Sequence, residues 1–100
     1  MQHLDAFAFA PRARRDLRGM DRQEQRRVLE ALGRFADGAQ NADVKTLIGK
    51  PPHLRLRAGQ IRVLFRELTD DEIRDEDGER RWLVVRVVQR AELERATAGL

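Results

Sequence analysis

The sequence has no cysteine and no tyrosine. Without cysteine there is no disulfide framework, no thiolate metal site and no cysteine nucleophile, and the composition suits a reducing compartment. Histidine occurs only at His3 and His53, fifty positions apart and in no HxH or HxxxH pattern, so spacing gives no metal site and no cofactor is called for. No apolar run approaches the ~20 residues that a membrane helix needs, and the first residues lack the apolar region of a secretory signal. The expectation is a chain without a membrane partner.

What is abundant is charge. Charged residues make up 37% of the chain, against a usual ~25%. The 41% of hydrophobic residues fall in periodic runs rather than being diluted, which marks a folded domain and not a disordered chain. One hundred residues suit a single domain, 1–100, with one modest core. The net charge of +3 hides an asymmetry: residues 70–79 hold seven acids and one arginine, a local −6, so the remainder carries +9. A basic body with one acidic protrusion points to a polyanion, nucleic acid first. A soluble domain with solvated charges accounts for the composition equally well.

Periodicity gives the elements. Residues 3–9 alternate and read as a short strand. Pro11 suits the first turn of a helix that runs to about Arg18, with Gly19 closing it in the left-handed conformation. Asp21 and Glu24 form a D-x-x-E capping box for a second helix, in which Val28, Leu29, Leu32, Phe35 and Ala36 make one apolar stripe and Gly38 is the terminator. The two helices form a hairpin. Residues 39–52 are connection, with Val44, Leu47 and Ile48 tucked against the core. Three strands follow. In residues 53–57, Leu54 and Leu56 point inward and His53, Arg55 and Arg57 outward. After a turn at Ala58-Gly59-Gln60, Ile61, Val63 and Phe65 share one face and Arg62 and Arg66 the other. A hairpin tip centred on Asp77-Gly78 leads to the strand 82–89, where Leu83, Val85 and Val87 point one way and Trp82, Val84, Arg86, Val88 and Arg90 the other. Residues 91–98 form a last helix. The fold class is α+β, in the order β-α-α-β-β-β-α, with the helical hairpin packed on one face of a mostly antiparallel sheet.

On the open face this register gathers Arg55, Arg57 and Arg62, and also Arg86 and Arg90 if they share that side. The planar guanidinium fork suits phosphate. Cleavage of RNA without a metal requires the 2′-OH to lose a proton, the phosphate charge to be neutralised and the 5′-oxygen to gain a proton. Arginine stays protonated and is a poor base. His53 is the residue of the cluster whose ordinary pKa lies near neutrality. Alternating arginine on a strand is also what a solvated sheet face looks like, and His53 after a Pro-Pro turn is also what a surface histidine looks like. Trp82 reads as packing rather than as a base-stacking platform.

The stretches PRARRDLRGMDRQEQRRVLEAL, VKTLIGKPPHLRLRAGQIRVLFREL and WLVVRVVQRAELER together resemble the RelE/ParE toxin family across nearly the whole chain. The resemblance implies a cytoplasmic toxin of a type II toxin–antitoxin system, neutralised by a cognate antitoxin protein. Its RelE branch implies an endoribonuclease that cleaves mRNA in the ribosomal A site without metal, leaving a 2′,3′-cyclic phosphate. Carried over by position, the residues that bind and activate the phosphate are His53, Arg55 and Arg57 on one strand, Arg62 on the next and Arg90 at the end of the last. Arg62, Arg90, His53 and Arg55 are expected to be catalytic, and Arg57, with Arg86 added from the strand face, to bind RNA. RelE-like nucleases often carry a tyrosine a few residues after the arginine matched by Arg90, where this chain has Ala91-Glu92-Leu93-Glu94. Many relatives have histidine where this chain has Gln89. These departures bear on proton transfer rather than on phosphate binding. The ParE branch implies instead an inhibitor that binds DNA gyrase and has no nuclease site, and a decayed toxin that only binds its antitoxin is a third possibility.

Overall fold

Alternating and helical periodicities resolve into a sheet with the helical hairpin on one face and a short C-terminal helix on the other. A computed structural model of the chain describes residues 4–74 and 80–100. A 3-10 turn at Leu4–Ala6 leads into β1 (Phe7–Phe9), α1 (Pro11–Arg18) and α2 (Arg22–Ala36). Then come β2 (Val44–Thr46), β3 (Leu54–Ala58), β4 (Ile61–Glu67), α3 (Asp70–Arg74) and β5 (Trp82–Gln89). A 3-10 turn at Arg90–Glu92 precedes α4 (Leu93–Ala98). The strands form one sheet in the order β1-β5-β4-β3-β2. The β1–β5 pair is parallel and the other pairs are antiparallel. The expected α+β architecture is present, and β2 and α3 are additions to the expected order.

The capping box at the start of α2 forms as read. Glu24 donates its backbone N–H to the Asp21 carboxylate at 2.8 Å, and Asp21 donates its own to the Glu24 carboxylate at 3.1 Å. These bonds satisfy donors that a helix start leaves unpaired. The apolar stripe then buries Val28, Ala31 and Leu32 against Leu56, Val63, Phe65 and Val84, with Phe35 and Ala36 packed at its border. Each large side chain so buried contributes about 1.5–3 kcal/mol. Leu29 lies off this stripe, half-buried beside Phe9 and Leu17. Trp82 packs edge-on against Phe35 and Phe65, with ring centroids 5.0 and 5.5 Å away, so it is a packing residue.

Four local expectations change. Gly19 ends α1 with φ −80°, in the right-handed region. Ile48 is 98% exposed rather than tucked in, whereas Val44 and Leu47 do pack. Residues 44–46 form an edge strand on β3 instead of plain connection. The expected hairpin tip at Asp77-Gly78 lies outside the described residues, as does His3. Residues 70–74, ahead of that stretch, form a helix, because Thr69 and Glu72 form a second capping box. Thr69 donates its N–H to the Glu72 carboxylate at 2.8 Å, and the Glu72 N–H reaches the Thr69 hydroxyl at 3.2 Å.

A β-bulge corrects the reading of β5. Leu64 pairs with Arg86 and Phe65 with Val84, so Val85 is the extra residue. An inserted residue breaks strict alternation. Val84 and Val87, three apart, therefore both join the helix-facing core, while Val85 and Val88 join a second cluster on the opposite face. That cluster is built on Leu64, Val88 and Ala96, with Leu47, Val85, Leu93 and Leu100 around it. It seats α4 on the side of the sheet away from the helical hairpin.

Candidate active site

The face of β3 and β4 turned away from the hairpin carries the arginines. Leu54, Leu56 and Val63 take the helix side, which leaves Arg55, Arg57 and Arg62 on the other by strand alternation. Arg57 lies directly opposite Arg62 across the β3–β4 pair, and Arg55 opposite Leu64. Gly59 begins the connecting turn with φ +64°, a conformation glycine adopts without strain. The carbonyl of Gly59 accepts a 2.8 Å bond from Arg62 Nη1, and the carbonyl of Ile61 accepts a second at 3.1 Å. The next carbonyl, of Gln60, accepts the backbone N–H of Arg90 at 2.7 Å. One two-residue turn thus fixes the guanidinium of Arg62 and the main chain of Arg90 together.

Between this turn and α4 lies a pocket of about 680 Å³. It is lined by Arg55, Arg62 and Arg90 and by Ala91, Leu93, Glu94, Thr97 and Ala98. Arg62 is only 6% exposed. Burial pushes its pKa down from the ordinary arginine value, and the charges of Arg55, Arg57 and Arg90 push it further the same way; Asp43 opposes them. Asp43 approaches Arg55 at 3.5 Å and Arg57 at 3.8 Å. Two carboxylates, Asp43 and Glu94, against four guanidinium groups leave the site cationic. An incoming phosphate would relieve that repulsion, and fixed guanidinium donors stabilise charge that accumulates on phosphoryl oxygens.

Arg55, Arg62 and Arg90 are brought together, and Arg57 stands at the rim with its side chain 55% exposed. His53 immediately precedes β3 but is not among the pocket-lining residues. Its Nδ1 lies 3.1 Å from the Lys50 carbonyl. A carbonyl only accepts, so Nδ1 is the donor in that bond. Arg86 does not line the pocket. Its Nε donates to Asp16 at 2.9 Å, and the same carboxylate oxygen accepts the Val87 N–H at 2.9 Å. Arg86 pairs with Leu64 and Val88 with Arg62, so the alternation from Arg86 to Val88 is intact, and the bond to Asp16 is what holds the guanidinium against α1 instead of in the pocket. Gln89 donates its amide to Glu24 at 2.9 Å, which ties the start of α2 to the residue before Arg90.

Sequence reading missed Asp43, Glu94 and Thr97 as parts of the site. For Asp43 no local signal exists, because its place depends on β2 pairing with β3. For Glu94 and Thr97 a signal was available: they sit three apart on the side of α4 that the Leu93, Ala96 and Leu100 stripe leaves open. Among the described residues, no three of His, Cys, Asp and Glu gather as a metal-binding group. No helix among them is long and apolar enough to cross a membrane.

By sequence, neither a protein-family model nor a curated protein matches the chain. By structure, it is similar to a chain of the RelB–RelE antitoxin–toxin complex from Methanococcus jannaschii. The TM-score is 0.62 at 16% identity, over 88% of this chain and 95% of the other. It is also similar to a chain of the archaeal RelE–RelB complex from Pyrococcus horikoshii OT3, with TM-score 0.55 at 19% identity, over 84% and 92% of the two chains. The chain therefore has a RelE-like fold.

Proposed function

We propose that this protein is the toxin of a toxin–antitoxin pair and works as a metal-independent endoribonuclease on ribosome-bound mRNA in the cytoplasm. The observation that carries the reading is the pocket in which Arg55, Arg62 and Arg90 converge while Arg57 flanks them. The scissile phosphate sits between Arg62, whose guanidinium two carbonyls hold, and Arg90, whose main chain is tied to the same turn, and such donors stabilise the transition state more than the ground state. Arg55 and Arg57 hold the adjoining backbone phosphates. A cognate antitoxin covers this basic surface, and charge complementarity makes its association fast and salt-sensitive.

A ParE-like gyrase inhibitor would use the same fold with no reaction at this pocket. The absence of tyrosine favours that second reading; the convergence of arginines on one pocket favours the first. Primer extension on cellular mRNA after brief induction separates them. Discrete new 5′ ends within coding sequences support the nuclease, and growth arrest with intact mRNA supports the gyrase inhibitor.

A further inference from the structure

The arginine pocket has a second wall. Leu93, Ala96 and Leu100 of the C-terminal segment pack toward Leu64 and Val88. This fixes the rotation of α4 and turns Glu94, Thr97 and Ala98 toward the pocket. Glu94 is the pocket's only carboxylate among the described lining residues, and Thr97 the only hydroxyl. Glu94 has no ion-pair or hydrogen-bond partner among the described residues. The acid whose field reaches Arg62 is Asp43, from the far side of β3. Glu94 thus lines the same pocket as the three arginines without being paired to one of them.

We propose that Glu94 is the general base of the pocket. The inference rests on the nuclease reading above and supplies what that reading lacks, a proton acceptor at the arginine cluster. Arginine cannot take the proton, and His53 lies outside the lining. With the phosphate against Arg62 and Arg90, the attacking ribose lies toward α4. The Glu94 carboxylate takes the proton of the 2′-OH as that oxygen bonds to phosphorus. The bond from phosphorus to the 5′-oxygen breaks, and the 5′-oxygen takes a proton from water. The hydroxide so formed recovers the proton from Glu94, so charge and protons balance and the products are a 2′,3′-cyclic phosphate and a 5′-hydroxyl.

A carboxylate that merely tempers the arginine field has the opposite signature. Removing it would tighten phosphate binding and leave cleavage unchanged or faster. The test is single-turnover cleavage of a short mRNA on programmed ribosomes, with wild type, Glu94→Gln and Glu94→Asp. Affinity is measured separately on ribosomes whose mRNA carries a 2′-deoxy nucleotide at the scissile position. Thermal unfolding checks that each variant is folded, as expected for a change at an exposed position. The proposal expects Glu94→Gln to lose at least about 100-fold in rate with affinity unchanged or tighter. It expects Glu94→Asp to retain part of the activity, and the wild-type rate to fall at acid pH along a limb that is absent in Glu94→Gln. Cleavage by Glu94→Gln within about threefold of wild type, with the same pH profile, overturns the proposal and leaves the nuclease reading standing. An inert wild type overturns both.

Discussion

Arg57 and Arg62 stand directly opposite each other on neighbouring strands, and Arg62 is buried. Like charges directly opposite across a strand pair destabilise a sheet by up to about 1 kcal/mol. Arg55 and Arg90 add to the repulsion at Arg62. A sheet built this way gives up stability that an anion restores. Inorganic pyrophosphate or a short RNA should therefore raise the unfolding temperature, by the linkage that any ligand of the native state obeys. Arg62→Ala and Arg90→Ala should shrink the rise. An unfolding temperature insensitive to both anions would show that the cluster is merely solvated surface.

Asp16 is a structural counterpart of this cluster. Its carboxylate, 11% exposed, accepts from Arg86 Nε and from the Val87 N–H, and pairs with Arg12 at 3.5 Å. These bonds fasten α1 to the part of β5 beyond its pairing with β1. Asp16→Ala strands a half-buried guanidinium and a backbone donor, which should cost about 2–3 kcal/mol. Urea denaturation reads this directly. A loss below about 0.5 kcal/mol would mean that water satisfies both donors.

The second capping box makes a pH prediction. The hydrogen bond from Arg66, and then that from Thr69, hold the Glu72 carboxyl at about 2, down from 4.5. A carboxyl depressed in the folded state stabilises the fold above its unfolded pKa, and loses that contribution as pH falls through the folded one. Wild type should therefore exceed Glu72→Gln in stability by a constant margin above about pH 4.5, and the margin should vanish toward about pH 2. The pair is partly exposed, so the margin is small. Parallel curves for the two proteins down to pH 2 would contradict the assignment.

Much of this was legible in the sequence because it depends on neighbours in the chain. The Asp21–Glu24 box, the Val28–Leu32–Phe35 stripe and the 53–57 alternation are local patterns, and each forms. The Thr69–Glu72 box was equally local, but the dense acids that follow it hide the short helix it starts. The β5 alternation failed for a different reason. The bulge at Val85 arises only when β4 and β5 pair, and it puts Val87 on the same core face as Val84. The site divides in the same way. Arg55, Arg57 and Arg62 could be read from strand period and a glycine turn. Asp43 and the α4 wall required the pairing of β2 and the packing of Leu93 and Ala96.

The central claim is that Arg62 and Arg90 act on a scissile phosphate. Its most direct test is cleavage of mRNA on programmed ribosomes by wild type, Arg62→Ala, Arg90→Ala and Arg62→Lys, beside a gyrase supercoiling assay. Losing one preorganised donor should slow cleavage ~10²–10³-fold, about 3–4 kcal/mol of transition-state stabilisation. Lysine should rescue only in part, because an ammonium cannot reproduce the bidentate fork. The account predicts cleavage by wild type, its loss in both alanine variants, and undisturbed supercoiling throughout. Cleavage undiminished in the Arg62→Ala, Arg90→Ala double variant, or inhibition of gyrase without any cleavage, would contradict it.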